Sequence, residues 1–171
     1  MKVSETPLIS AQAIEARIAA LAGEISAACA EERPVLVCVL RGALPFARAI
    51  MHHLRFSCTL DFVRAKSYAD TESTGAVQLL RPLAMPVRGR HVILLEDILD
   101  TGRTAHAIME YIGRQEPASI RICALLDKPA RRIAPVAAQW RGFEIPDAFV
   151  VGFGLDLDER FRELPDIRTL A

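Results

Sequence analysis

Residues 92–105 read VILLEDILDTGRTA, and their first four leave little freedom in what the chain can become. A strand that alternates apolar and polar residues can face water on one side. An unbroken aliphatic run has to be covered on both. Residues 35–40 (VLVCVL) make a second such run. Two doubly covered strands require helices on both faces of a sheet, and the rest of the chain supplies them.

Ser10 can cap a first helix whose Ile14, Ile18, Leu21 and Ile25 fall at helical spacing. Pro34 follows its end, and after the strand 35–40 Gly42 turns the chain into a second helix carrying Leu44, Phe46, Ile50 and Leu54. Residues 58–65 and 76–80 read as strands, with the small polar stretch SYADTESTG (67–75) between them. Residues 82–89 form a turn-rich approach to the strand 92–95. A helix over about 104–115 follows, then a strand over 120–126 ending in Asp127-Lys128-Pro129, and a short strand over 149–151. Strands that alternate with helices indicate an α/β fold with a mainly parallel central sheet. No repeat, low-complexity stretch or linker divides the 171 residues, so a single domain is expected over 1–171.

Charge excludes some partners. Lys+Arg and Asp+Glu are equal at 21 each, so no overall field draws the chain to nucleic acid or to a membrane surface. Anion binding has to be local. Glu5, Glu15 and Arg17 interrupt any secretory apolar core, and the run 35–40 is too short to span a bilayer. Cys29, Cys38, Cys58 and Cys123 stand singly among aliphatic residues, which reads as buried free thiols in a reducing cytoplasm. His52, His53, His91 and His106 fit no metal-ligand spacing and read as structural or surface residues.

The chemistry concentrates where the strand 92–95 ends. Glu96 and Asp97 are adjacent carboxylates, Asp100 follows, and then comes Thr101-Gly102-Arg103-Thr104. Ligands of open α/β sheets gather at such strand ends. Gly102 lets the backbone turn and approach a ligand closely, the threonines add hydroxyls, and the following helix offers unpaired N–H groups. That loop suits a phosphate, and its neighbouring acids suit sugar hydroxyls or Mg²⁺. A phosphorylated sugar fits best. The bland alternative is an N-capped turn with incidental acids, but two adjacent carboxylates at a sheet's edge repel unless a ligand or cation uses them. A P-loop is excluded because it needs Gly at Asp97 and Lys at Arg103. Gly152-Phe153-Gly154 opens like a dinucleotide fingerprint, but its third glycine position is Leu157.

VILLEDILDTGRTA resembles the phosphoribosyl-pyrophosphate (PRPP) loop of type I phosphoribosyltransferases. VLRGALPFA (39–47), DFVRAKSY (61–68), LLDKPARR (125–132) and PDAFVVGFGLDLDERFRELP (146–165) narrow the resemblance to hypoxanthine-guanine phosphoribosyltransferases. The match runs in order along essentially the whole chain. It implies the type I phosphoribosyltransferase fold, with a core over about 30–145 and a small purine-binding hood. The hood would come from the N-terminal segment and about 146–171.

It also implies a reaction: hypoxanthine or guanine plus PRPP gives the nucleoside 5′-monophosphate and pyrophosphate. By position, Glu96 and Asp97 would hold the ribose hydroxyls directly or through Mg²⁺, and Asp156 would bind a second Mg²⁺ and lie near the purine. Asp100 would accept the purine N7 proton. Thr101, Gly102, Arg103 and Thr104 would cradle the 5′-phosphate, Arg103 mainly by its backbone. Arg41, Gly42 and Arg162 would take the pyrophosphate, with a non-proline cis peptide before Arg41. Lys128 would read the 6-oxo group, Phe149 would stack on the ring and Val150 would meet its edge. On local sequence alone Lys128 reads as a surface lysine and DLDERFR as a solvated charge run. Ser67 and Tyr68 would open a flap that closes over the reacting centre.

The resemblance further implies a cytoplasmic homodimer or homotetramer. Two alternatives share the scaffold: a xanthine-preferring transferase, and an RNA-binding regulator that keeps the PRPP loop. The neutral charge, Lys128 and Phe149-Val150 weigh against the regulator.

Overall fold

The aliphatic strands lie at the centre of a six-stranded sheet with helices on both faces. The computed structural model describes residues 2–29, 31–67 and 77–170. Helix α1 (Ala11–Cys29) leads to β1 (Val35–Val39), α2 (Leu44–His53), β2 (Thr59–Ser67) and β3 (Val77–Arg81). Strand β4 (His91–Leu99), helix α3 (Arg103–Gly113) and β5 (Ser119–Asp127) follow. A 3₁₀ turn (Pro129–Arg131), β6 (Trp140–Glu144), β7 (Val150–Val151) and β8 (Arg168–Thr169) complete the order. The sheet runs β3-β2-β1-β4-β5-β6, with β7 and β8 forming a separate two-stranded sheet. All pairs of the large sheet are parallel except β2 with β3.

The period-two geometry of a strand explains the two cores. Leu36 and Cys38 of β1 and Ile93 and Leu95 of β4 pack with Ile14, Ile18, Leu21 and Ile25 of α1 and Phe46 and Ile50 of α2. Val35, Val37, Val92 and Leu94 face the other way, onto Ala105, Ile108 and Ile112 of α3. Full burial of each such side chain contributes about 1.5–3 kcal/mol relative to exposure. Ser10 caps α1, its Oγ accepting from the Ala13 N–H at 3.2 Å. Arg17 fastens α1 over β6 by donating to the Gly142 carbonyl at 3.0 Å and the Arg141 carbonyl at 2.7 Å.

Some boundaries differ from the sequence expectation. β4 runs on to Leu99 because its register with β5 continues to Leu99 opposite Asp127. The tandem acids therefore lie inside the strand rather than after it. β6 and β8 were not expected. The four cysteines are free, Cys29, Cys38 and Cys123 being buried and Cys58 partly so. Among the described residues no helix is long and apolar enough to cross a membrane.

Chain order reverses between β1 and β4: the chain leaves β1 toward β2 on one side, and β4 passes to β5 on the other. In open α/β sheets the crevice outside the carboxyl ends of two such strands is the ligand site. Leu40–Gly42 and Glu96–Gly102 are the segments that meet there.

Candidate active site

A cleft of about 480 Å³ opens at this switch point, lined by both segments and by Asp156 and Arg162. The Leu40-Arg41 peptide is cis. Gly42 is required by space, since a Cβ there would fall 1.6 Å from Asp97 Oδ2. Gly154 presses on the same point, where a Cβ would lie 2.1 Å from the Gly42 carbonyl oxygen, and its φ of +98° also favours glycine. The two glycines thus let the Asp97 side chain and the Gly154 backbone close onto the Gly42 segment.

Arg162 closes this side. It donates from Nη1 to the Gly154 carbonyl at 2.7 Å, and its Nη2 pairs with Asp156 Oδ1 at 2.8 Å and Glu159 Oε2 at 3.1 Å. Glu159 Oε1 in turn accepts from Arg41 Nη2 at 2.7 Å. Glu159 is a bridge between two cationic groups that sequence reasoning missed. Its position three residues before Arg162, inside what read as a charge run, was the available signal.

Glu96 is buried and Asp97 partly so. Burial, then the neighbouring Asp97, pushes the Glu96 carboxyl well above the usual range. Burial also lifts Asp97 to about 6, against the Ile98 backbone N–H and Arg162, with Asp156 adding to the rise. Cys38 beneath them is pushed up to about 12 by burial and then by these two acids. A desolvated acid pair of this kind gains from a cation or from hydroxyl donors. Among the described residues no three carboxylate, imidazole or thiol groups converge as a metal cage. An adjacent pair of carboxylates is a donor set that Mg²⁺ can use, since it keeps waters and substrate oxygens and takes one or two carboxylates from the protein.

The turn after β4 is left open at the helix start. Gly102 is the N-cap of α3 at φ +80°, with no side-chain cap. Arg103 N–H reaches Thr101 Oγ1 only at the long distance of 3.5 Å, and N–H groups at a helix start can bind an anion. Arg103 is exposed while Thr101, Gly102 and Thr104 line the cleft, in keeping with a backbone role for Arg103. The loop is held from behind. Thr101 O accepts from Ile133 and Ala134 N–H at 3.0 Å each, and Lys128 N–H donates to Leu99 O at 3.0 Å. Arg132 donates to Leu99 O at 3.0 Å and also to Asp100 O, and it pairs with the buried Asp127. Asp127 and Arg132 were not assigned roles from sequence.

Lys128 departs from the surface reading. It is 6% exposed, and its Nζ donates to the Ala148 carbonyl at 2.7 Å. Phe149 is 53% exposed, unusual for a large apolar ring, while Val150 is buried in β7. Neither Lys128, Phe149 nor Val150 lines the cleft itself, but the Lys128 N–H donates to Leu99 O, next to Asp100, and its Nζ donates to Ala148 O, next to Phe149. Asp100 Oδ1 accepts from Arg131 Nε at 2.7 Å. Ser67 ends β2 opposite Val77. Tyr68 lies outside the described residues.

The family model for the phosphoribosyl transferase domain matches residues 7–159. The hypoxanthine-guanine phosphoribosyltransferase of Bacillus subtilis is 40% identical over 167 residues, covering 97% of this chain and 93% of its own. The hypoxanthine phosphoribosyltransferase of Salmonella typhimurium is 39% identical over 168 residues, covering 96% and 94%. A crystal structure of a hypoxanthine-guanine phosphoribosyltransferase from Bacillus anthracis, with a HEPES molecule in its active site, superposes with a TM-score of 0.94 at 36% identity. It covers 99% of this chain and 100% of its own.

Proposed function

This chain belongs to the phosphoribosyltransferase family, in its hypoxanthine-guanine group, and on that footing we propose that it transfers the 5-phosphoribosyl group of PRPP to N9 of a 6-oxopurine. The observation that carries this reading is the desolvated Glu96-Asp97 pair beside an uncapped helix start at a topological switch point. A ribose and its 5′-phosphate would engage these two features together.

In the transfer, N9 of hypoxanthine or guanine attacks C1′ while the bond from C1′ to the pyrophosphate oxygen breaks and its electron pair leaves with pyrophosphate. The N7 proton passes to the Asp100 carboxylate. Carboxylates facing the ribose stabilise positive charge developing at C1′, and that is the role of Glu96 and Asp97. Glu96, Asp97 and Asp156 would hold Mg²⁺, which supplies charge neutralisation for the diphosphate. Thr101 and Thr104 hydroxyls and the backbone at Gly102 and Arg103 bind the 5′-phosphate. Arg41, Gly42 and Arg162 receive the leaving pyrophosphate.

On the purine side Lys128 donates to the 6-oxo oxygen. It disfavours the 6-amino group of adenine, because donor would face donor. Phe149 stacks on the ring, worth about 1–3 kcal/mol by comparison with nucleic-acid sites. Val150 offers backbone groups to the purine edge. The N-terminal segment is bridged to the C-terminal strand through Ile9 and Ile167, and with residues 146–171 it forms the hood over the base. The active form is a cytoplasmic homodimer or homotetramer.

Purified protein with Mg²⁺, PRPP and hypoxanthine, guanine or xanthine in turn should form nucleotide fastest with hypoxanthine or guanine. No nucleotide from any purine, together with no heat of PRPP binding by folded protein, would overturn the proposal. Preference for xanthine would move it to the xanthine-using alternative.

A further inference from the structure

The purine side of the site is threaded on one guanidinium. Arg131 donates from Nε to Asp100 Oδ1 at 2.7 Å, and from Nη1 to Asp147 at 3.1 and 3.3 Å. Asp147 Oδ1 lies 3.9 Å from Lys128 Nζ, which itself donates to the Ala148 carbonyl at 2.7 Å. Asp147 and Ala148 directly precede Phe149. The base, the group facing the 6-oxo oxygen and the stacking ring are therefore linked through Arg131 and Asp147. Both of these residues lie outside the cleft lining. Arg131 is placed by the 3₁₀ turn after β5, where its N–H donates to Lys128 O at 3.0 Å.

These pairs are poor candidates for holding the fold together. The side chains of Arg131, Asp100 and Asp147 are 43%, 38% and 58% exposed, and ion pairs at such exposure contribute little to stability. Geometry gives a better account. A guanidinium is a rigid fork that can serve one carboxylate from its Nε edge and another from Nη, which a lysine ammonium cannot reproduce. With Oδ1 taken by Arg131, Oδ2 is the oxygen of Asp100 that can accept the N7 proton. When a purine covers the site, the lower local dielectric strengthens the clasp.

We propose that Arg131, anchored by Asp147, is a positioning residue for the transfer reaction: it orients Asp100 toward N7 and ties that orientation to the segment that carries the stacking ring. The inference rests on the reading of Asp100 as the base.

Steady-state kinetics with hypoxanthine and PRPP test it on wild type, Arg131→Ala, Arg131→Lys, Asp100→Asn and the Asp100→Asn/Arg131→Ala pair. Arg131→Ala should lower kcat by about 10–100-fold, the range for a misplaced catalytic group, while the KM for PRPP moves by less than about threefold. Arg131→Lys should recover only part of the loss, because one ammonium nitrogen cannot reproduce the separation of the Nε and Nη1 donors that face the two carboxylates. In the Asp100→Asn background, removing Arg131 should add less than about threefold, since the two act as a unit. Wild-type kcat in Arg131→Ala, full recovery in Arg131→Lys, or an undiminished loss in the Asp100→Asn background would each overturn the proposal. If Arg131→Ala does not fold by circular dichroism, Arg131→Gln carries the same readouts. An inactive wild type would instead sink the functional reading itself, so the two failures are distinguishable.

Discussion

Asp100 stands where the strand β4 gives way to the Thr101–Thr104 turn, with its side chain part exposed to the cleft. The proposed base role requires a carboxylate at that position. Asp100→Asn keeps the shape and removes the base, so kcat should fall by roughly 10²–10⁴-fold while PRPP binding by calorimetry stays near wild type. An unchanged kcat would remove Asp100 from the chemistry. Lys128 makes a different claim. Its ammonium is buried and bound to a backbone carbonyl, so the charge is already oriented before any ligand arrives. Lys128→Ala should raise the KM for hypoxanthine more than that for PRPP. Equal losses would mean that Lys128 holds the loop rather than reads the purine.

At the scale of elements, the turn that carries Asp100 is only as well placed as the segment behind it. Arg132 donates to Leu99 O at 3.0 Å and to Asp100 O, and its other nitrogen pairs with the buried Asp127. Arg132→Ala would strip donors from two carbonyls and leave Asp127 with Arg141 at 3.4 Å as its ion-pair partner. The expected cost is about 1–3 kcal/mol in urea unfolding, with a raised KM for PRPP; an unshifted midpoint would show that the brace is dispensable. This element was only half legible in the sequence. β1 and β4 were readable because they are aliphatic on both faces, and α1 because its apolar residues recur at helical spacing. β6 was not, because Trp140-Arg141-Gly142-Phe143-Glu144 mixes charge and glycine and owes its pairing to β5 rather than to its own pattern. The two-residue β8 is too short to carry any period. Among site residues, the acids and the Thr-Gly turn are contiguous and so were visible. The burial of Lys128 was not, because the carbonyl it meets lies 20 residues away along the chain. The bond from Arg41 to Glu159, by which Glu159 bridges to Arg162, joins residues 118 positions apart and is likewise a product of the fold.

Over the whole molecule, the site and the fold make opposed demands on Asp97. Its carboxyl is lifted to about 6 chiefly by burial, so in the metal-free protein the ionised form is less at ease than in the unfolded chain. The sign follows from linkage: an acid whose folded pKa exceeds its unfolded value contributes stability at low pH. That contribution is lost as pH rises from the unfolded value, near 3.8, through about 6. Above that window the folded protein bears the full cost of a desolvated charge beside Glu96. Asn at this position removes the charge and preserves the shape against Gly42, whose missing Cβ leaves room for the side chain. In chelator-treated protein, Asp97→Asn should therefore raise Tm relative to wild type at pH 8. The gain should shrink toward zero at pH 4.5, where Asp97 is protonated in the folded wild type. The same variant should lose PRPP turnover, because the charge that burial disfavours is the one proposed to face the ribose. Differential scanning calorimetry at both pH values decides the matter. A Tm difference that does not depend on pH, or one larger at pH 4.5, would show that burial does not set the state of Asp97 and that the acid pair is stabilised by the fold rather than held in readiness for a ligand.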